Sequence, residues 1–315
     1  RSLLKISIVL PVFNEEENLH DMNTEIVGVV ENMDMDYEII YIDDGSTDRR
    51  FEILSDLRQQ NSNIRIIQFR RNFGQTAGLA AGFDHATGDV IITMDSDRQN
   101  DPNDIPMMLD KINEGYDLVS GWRFDRQDAW LSRKLPSKLA NGLISSITGV
   151  KLHDYGCSLK AFRKDVIENI RLYGEMHRFI PAIASWMGVR IAEVKVNHRA
   201  RVAGTSKYGI SRTFRVILDL ITVKFLLHYS ARPIHFFGGI GVVSGVVGFL
   251  IAFVMLIQKF FFEVPMGDRP LLLLAVLLMF IGLQFITFGL LGELMTRTYH
   301  EAQNKPVYVV RQTLL

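Results

Sequence analysis

Tyr37-Glu-Ile-Ile-Tyr-Ile-Asp-Asp-Gly-Ser-Thr-Asp48 is the stretch on which the fold turns. Its first six residues, rich in β-branched and aromatic side chains, predict a strand. Two carboxylates and a glycine then stop the strand, and Asp48 to Gln60 predicts a helix that Ser46 or Thr47 is placed to cap. The same unit recurs on either side. Upstream, Ile6 to Leu10 predicts a buried strand ended by Pro11, with helical character from Glu16 to Asn32. Downstream, Ile64 to Phe69 predicts a third strand, Thr76 to His85 a helix and Asp89 to Met94 a fourth strand. Strand and helix alternating at this spacing imply an α/β fold, a mainly parallel sheet with helices on both faces. Ligands bind such sheets beyond the carboxyl ends of the strands. Asn14-Glu15, Asp43-Asp44 and Asp95-Ser-Asp97 each fall at such an end, so three polar clusters converge on one sheet edge.

Composition narrows the function classes. The 315 residues carry 35 Lys+Arg against 35 Asp+Glu, a formal charge of zero that argues against a nucleic-acid binder held by bulk charge. One cysteine, Cys157, excludes an intramolecular disulfide framework and a cysteine-cluster metal site. The average hydrophobicity hides a segregation along the chain. Ile234 to Ile257 and Pro270 to Gly292 are charge-free runs of 24 and 23 residues, each long enough to cross a hydrocarbon core of about 30 Å as a helix. Pro265 and Gly267 mark the turn between them, so the pair predicts a membrane hairpin. Lys224, Arg232, Arg297, Lys305 and Arg311 flank it, against Lys259 and Arg269 in the loop, which favours both termini in the cytoplasm. Arg1 to Leu10 reads as a strand-like run rather than a signal stretch, so the large N-terminal part is expected on the same side. The expected location is the inner (plasma) membrane, as a multi-pass protein.

No GxGxxG follows the first strand and no GxxxxGK[ST] occurs, so a dinucleotide fingerprint and a P-loop are both missing. What stands at the fourth strand end is Asp95-x-Asp97, two carboxylates able to share a hard divalent cation or hold it against a diphosphate. On the basic side, Leu131, Leu135, Leu139, Leu143 and Ile147 recur every fourth residue beside Arg133, Lys134 and Lys138. Ile210, Phe214, Ile217, Ile221 and Phe225 repeat the pattern beside Arg212, Arg215 and Lys224. Such stripes suit helices lying in the headgroup plane. Lys195 to Arg215 holds six Lys/Arg and no Asp or Glu, and its Gly204 allows a loop that closes over a phosphate.

Five stretches in order carry a resemblance: Val9-Leu-Pro-Val-Phe-Asn-Glu-Glu-Glu-Asn18, Tyr41-Ile-Asp-Asp-Gly-Ser-Thr-Asp48, Arg71-Asn-Phe-Gly74, Met94-Asp-Ser-Asp-Arg-Gln99 and Arg201-Val-Ala-Gly-Thr-Ser-Lys207. The sequence resembles the family 2 glycosyltransferases, and within them the polyprenyl-phosphate glycosyltransferases. Arg98 departs from the pattern, which usually has an apolar residue there. The resemblance implies a GT-A fold, Rossmann-like, in which Pro11, Phe13, Glu15, Ile42, Asp44, Asp95 and Ser96 bind the nucleotide-sugar. Asp95 and Asp97 then hold Mg2+ or Mn2+ against the diphosphate, and Arg123, Arg133, Ser137 and Arg201 bind the acceptor phosphate. Arg201 and Lys207 sit on a mobile acceptor loop, and Asp154 matches the position of the superfamily's base, either as a base or orienting substrate.

The expected reaction is inverting transfer of a sugar, with UDP-glucose favoured, to polyprenyl (undecaprenyl) phosphate. GDP-mannose or UDP-aminoarabinose as donor, and a non-catalytic membrane-anchored scaffold, are the alternatives. The expected layout is a catalytic domain over 1–205, a juxtamembrane amphipathic helix over 206–232, the hairpin over 233–293 and a tail over 294–315. In that tail Lys305 to Arg311 reads as a strand with no partner in the preceding sequence. Together with Gly238, Gly241, Gly245 and Gly248 in the first span, it predicts a homo-oligomer, dimer or tetramer.

Overall fold

The structure, a computed structural model, describes residues 4–13, 16–46, 49–124, 141–142, 144–145, 149–170, 172, 176–185, 187–199, 233–263, 265, 269–302 and 308–314. It divides into two compact units, Arg1–Val223 with Pro306–Leu315, and Lys224–Lys305.

The first unit is built on an eight-stranded sheet of order β7-β5-β6-β4-β1-β2-β3-β8. Its centre is β1 (Ile6–Val12), β2 (Tyr37–Asp43), β3 (Ile64–Phe69) and β4 (Val90–Thr93), all mutually parallel. These strands are buried on both faces, so they read as near-continuous apolar runs rather than alternating ones. Of the helices between them, α1 (Leu19–Glu31) turns Leu19, Met22, Ile26 and Val30 to the sheet at helical spacing. The crossover α2 (Arg50–Gln60) buries Leu54 and Leu57, and α3 (Gln75–His85) lies against β1 and β2. Ser46 does not cap α2: its hydroxyl and amide both donate to Asp43, and Arg49 stands at the cap position. Thr47 lies outside the described residues.

The chain leaves β1 toward β2 on one side and returns to β4 on the other, which creates a switch point between β1 and β4. After α4 (Ile105–Asn113), β5 (Leu118–Arg123) and β7 (Ile191–Val196) pair in parallel. Between β5 and β4 runs β6 (Lys160–Arg163), antiparallel to both. Two short helices, α5 (Lys164–Glu168) and α6 (Ile180–Ser185), follow it. The expected α/β sheet with helices on both faces is therefore present, with β6 as a reversed strand that the sequence pattern does not announce.

In the second unit, α7 (Pro233–Phe262) and α8 (Pro270–Ala302) pack along each other. A Cβ on Gly241 would stand 2.6 Å from the Gly282 carbonyl oxygen, and one on Gly248 2.6 Å from that of Ala275. One on Gly282 would meet the Gly241 carbonyl and the Gly245 backbone. Gly241 and Gly248, two of the four glycines assigned from sequence to contacts between subunits, thus seat α7 on α8 within one chain.

The C-terminal strand also needs correction. It is β8 (Val310–Leu314), later than the run read from sequence, and it pairs antiparallel with β3 of its own chain through Ile66–Leu314 and Gln68–Gln312. Tyr308 anchors it, stacking on Phe69 at 5.1 Å and donating to Asp84 at 2.9 Å. The strand covers the sheet edge instead of seeking a neighbour's, which removes the argument for a homo-oligomer built on an unpaired strand.

Candidate functional site

The start of α3, the carboxyl ends of β4 and β5 and the turn before β6 meet around one cleft. Its lining includes Gln75, Asp95, Asp97, Arg123, Lys160 and Arg178, with Thr93, Tyr155, Ser158 and His177 between them. Asp95 and Asp97 lie on the turn leaving β4, the first partly buried and the second buried. The turn is tied on several sides. Ser96 Oγ donates to the Pro11 carbonyl at 3.1 Å, and the Gln99 amide to Asp97 Oδ1 at 3.1 Å. Gln75 Nε2 donates to Asp95 Oδ1 at 2.7 Å. Burial and then the like charge of Asp97 push the Asp95 carboxyl up to about 6, against the lowering effects of Ser158, Arg123 and Lys160. Two hard oxygen donors that repel one another in a half-buried cleft fit a divalent cation such as Mg2+ or Mn2+.

Arg123 reaches the cleft from the end of β5. Its Nε and Nη2 donate to the two carboxylate oxygens of Asp154 at 2.7 and 2.9 Å, a bidentate pair. The Gly156 amide donates to the same carboxylate at 3.1 Å, and Glu193 fixes the segment by accepting from the Asp154 amide at 3.0 Å. Asp154 is buried, with both oxygens committed, so the geometry makes it the partner that aims Arg123. A general base needs an oxygen facing the proton it takes.

The nucleotide-binding candidates divide. Pro11 and Ile42 both lie against Gly78 of α3, and Ile42 is fully buried. Phe13 is 39% exposed, with the Arg50 guanidinium 5.9 Å from its ring centre. Asp44 accepts from the Phe73 and Gly74 amides at 2.6 and 2.8 Å, so it binds the Arg71-Asn-Phe-Gly74 turn to the end of β2. Its carboxyl sits above the usual range because burial outweighs those amides. Glu15, Arg133, Ser137, Arg201 and Lys207 lie outside the described residues, as does most of 128–147 and all of 206–232.

Gln75, Lys160, His177 and Arg178 are among the lining residues that escaped the sequence reading. Gln75 directly follows the Arg71-Asn-Phe-Gly74 motif, a signal that was available. Lys160 starts β6 and is buried, donating through Nζ to the carbonyls of Cys157 and Tyr155. Burial lowers its pKa, with Arg123 adding to the effect and Asp154 and Asp95 opposing it. His177 meets Thr76 Oγ1 at 2.8 Å, and burial, then Arg178 and Lys160, bring it down to about 3, so it is neutral. His177 and Arg178 stand some eighty residues beyond Asp97, and nothing local in the sequence connects them to it.

Comparison with known proteins decides the family. The family model described as Glycosyl transferase family 2 matches residues 7–171, which include Asp95, Asp97, Arg123 and Lys160 of this cleft. The chain belongs to glycosyl transferase family 2. Within that family it groups with the polyprenyl-phosphate glycosyltransferases. It is 46% identical, over 98% of its length and 93% of the relative's, to a dodecaprenyl-phosphate galacturonate synthase of Rhizobium johnstonii. It is 37% identical, over 98% of its length and 94% of the relative's, to an undecaprenyl-phosphate 4-deoxy-4-formamido-L-arabinose transferase of an Enterobacter species. Among solved structures it is similar to glucosyl-3-phosphoglycerate synthase of Mycobacterium tuberculosis, including a complex of that protein with Mn2+ and UDP-glucose. That likeness has a TM-score of 0.56 at 18% identity, covering 71% of this chain and 79% of that one, and it establishes the GT-A-like fold. In this family 2 chain the acidic turn after β4 and Arg123, held by Asp154, line the same cleft.

Proposed function

We propose that this protein transfers a sugar from a nucleoside-diphosphate sugar to polyprenyl phosphate, with inversion, at the cytoplasmic face of a membrane. The observation that carries the reading is a cleft with an acidic pair on one wall and Arg123, Lys160 and Arg178 around the rest. An acidic pair suits a cation that bridges a diphosphate, and a guanidinium aimed by a buried carboxylate suits a second phosphate. A bound divalent cation at Asp95 and Asp97 would neutralise the charge that develops on the leaving diphosphate. Pro11 and Phe13 form the apolar side of the nucleotide pocket, with Ile42 packed beneath them, while Asp44 holds the neighbouring turn. Arg123 binds the acceptor phosphate, assisted from the acceptor loop by Arg201 and Lys207.

The acceptor oxygen attacks the anomeric carbon as the bond to the diphosphate oxygen breaks. A phosphate monoester with a second pKa near 6 is already ionised at neutral pH, so no proton has to be abstracted. That agrees with an Asp154 committed to Arg123.

The expectation of UDP-glucose finds no support among the relatives, whose names carry galacturonate and a formamido-arabinose. We place a UDP-uronate of the galacturonate type first, because its carboxylate suits a cleft with three cationic side chains. The apolar helices α7 and α8 serve as the membrane hairpin that brings the cleft to its lipid substrate. The test is the full chain in detergent with Mn2+, undecaprenyl phosphate and a panel of UDP-galacturonate, UDP-glucose, GDP-mannose and UDP-4-deoxy-4-formamido-L-arabinose. A lipid-linked uronate of inverted anomeric configuration, read by mass spectrometry and NMR, is expected. Release of nucleoside diphosphate that does not depend on the lipid phosphate would refute the transfer.

A further inference from the structure

Arg98 immediately follows Asp97 and has a φ of 59°, a left-handed backbone unfavourable for any residue with a Cβ. Its guanidinium points away from the cleft. Nη1 donates to Asp21 at 2.5 Å and Nη2 to Glu25 at 2.7 Å, both on α1. Glu25 is shared: its other oxygen accepts from Arg199 Nη1 at 2.5 Å, and Arg199 Nη2 meets Asp101 at 2.8 Å. The backbone repeats the connection, with the Arg199 amide donating to the Gln99 carbonyl at 3.0 Å and Asn100 bridging to His198. Glu25 and Arg98 keep only 26% and 21% of their side-chain surface in water, so solvent screens this pair less than an exposed one. One carboxylate of α1 therefore holds the segment after Asp97 from two sides. Nothing in nucleotide or acceptor binding accounts for this network.

We propose that Glu25 and Arg98 are positioning residues: α1 grips the Arg98 side chain, the grip sustains the left-handed backbone, and that backbone sets Asp97 for cation binding. The inference rests on the reading of Asp95 and Asp97 as the cation site. The Gln99 amide bond to Asp97 Oδ1 transmits the setting, since residue 99 follows the constrained residue directly.

The experiment titrates Mn2+ into the full chain in detergent, with and without UDP, reading free Mn2+ by electron paramagnetic resonance. Arg98→Ala loses the grip while its Cβ still disfavours a positive φ, so the turn is no longer held and Mn2+ binding should weaken about tenfold. Arg98→Gly loses the same ion pairs but accepts a positive φ, and should recover to within about threefold of wild type. Glu25→Gln, which preserves shape, should also weaken Mn2+ binding and serves if Arg98→Ala does not fold. A purely structural role would lower the melting temperature of the three variants and leave Mn2+ affinity alone; that result overturns the proposal. Glycine binding Mn2+ as poorly as alanine would overturn it too. If the wild type itself fails to bind Mn2+, the cation site falls, and this inference falls with it.

Discussion

At the scale of single residues, the site is governed by two pairs of opposite character. Asp95 and Asp97 repel each other and invite a cation, while Arg123 and Asp154 satisfy each other. Replacing Asp95 or Asp97 by Asn should cut transfer by about two orders of magnitude or more while the fold persists. EDTA should reproduce the loss in the wild type, and Mn2+ should restore it; undiminished activity in EDTA would remove the cation from the reaction. Asp154 invites a different expectation. Asp154→Ala leaves Arg123 without its partner, and breaking a buried ion pair from one side costs about 3–5 kcal/mol. Arg123→Ala and Asp154→Ala should each raise the apparent KM for lipid phosphate. In a double-mutant cycle their effects should be strongly non-additive. Additive effects would mean that Asp154 acts independently of Arg123.

Among the elements, the sheet is secured at places far from the chemistry. At its amino edge, Glu38 of β2 is buried and accepts from Ser7 Oγ at 2.5 Å, the Thr87 amide at 2.6 Å and Arg65 at 2.8 Å. Burial raises its pKa, but these donors outweigh burial and bring it down to about 2 from 4.5. A carboxyl depressed on folding stabilises above its unfolded pKa and loses that contribution as pH falls through the folded one. Wild type should therefore exceed Glu38→Gln in stability by about 3 kcal/mol at neutral pH. The gap should close between pH 4.5 and about 2 in thermal melts followed by circular dichroism. A gap independent of pH would refute the linkage. At the carboxyl end of the chain, β8 shields the β3 edge. Removing residues 308–315 should lower the melting temperature and promote aggregation without changing the number of copies in the detergent-solubilised particle. Tyr308→Ala alone should cost about 3 kcal/mol through the lost Phe69 stack and Asp84 hydrogen bond. A smaller particle after truncation would instead restore the strand to an interface between copies.

At the level of the whole molecule, α7 and α8 have the length and apolar surface of membrane helices. Only 17% and 11% of their most apolar stretches are buried within the chain, and Leu273 and Phe260 are 74% and 75% exposed. A helix in a soluble core buries such side chains, whereas one in a bilayer presents them to lipid. The full chain should remain in the membrane pellet after alkaline carbonate extraction and require detergent for release. Appearance in the soluble fraction would rule out the spanning hairpin.

Sequence alone carries the α/β class, the strand ends that hold Asp44, Asp95 and Asp97, and the two long apolar helices. Those features are local: period, breakers and charge-free length can be read within a dozen residues or two. It also carried the family, because the motifs stand in order along the chain. Long-range packing, by contrast, inserts β6 antiparallel between β4 and β5 and brings His177 and Arg178 into one cleft with Asp95. Only the fold, likewise, showed β8 completing its own sheet and Gly241 seating its own hairpin. Arg98 makes the contrast plain. In sequence it is an irregularity beside an acidic motif; folded, it is pinned by Asp21 and Glu25, more than seventy residues away. Contacts at that separation depend on which elements become neighbours, and neighbourhood follows from packing many surfaces at once rather than from the pattern along any one of them.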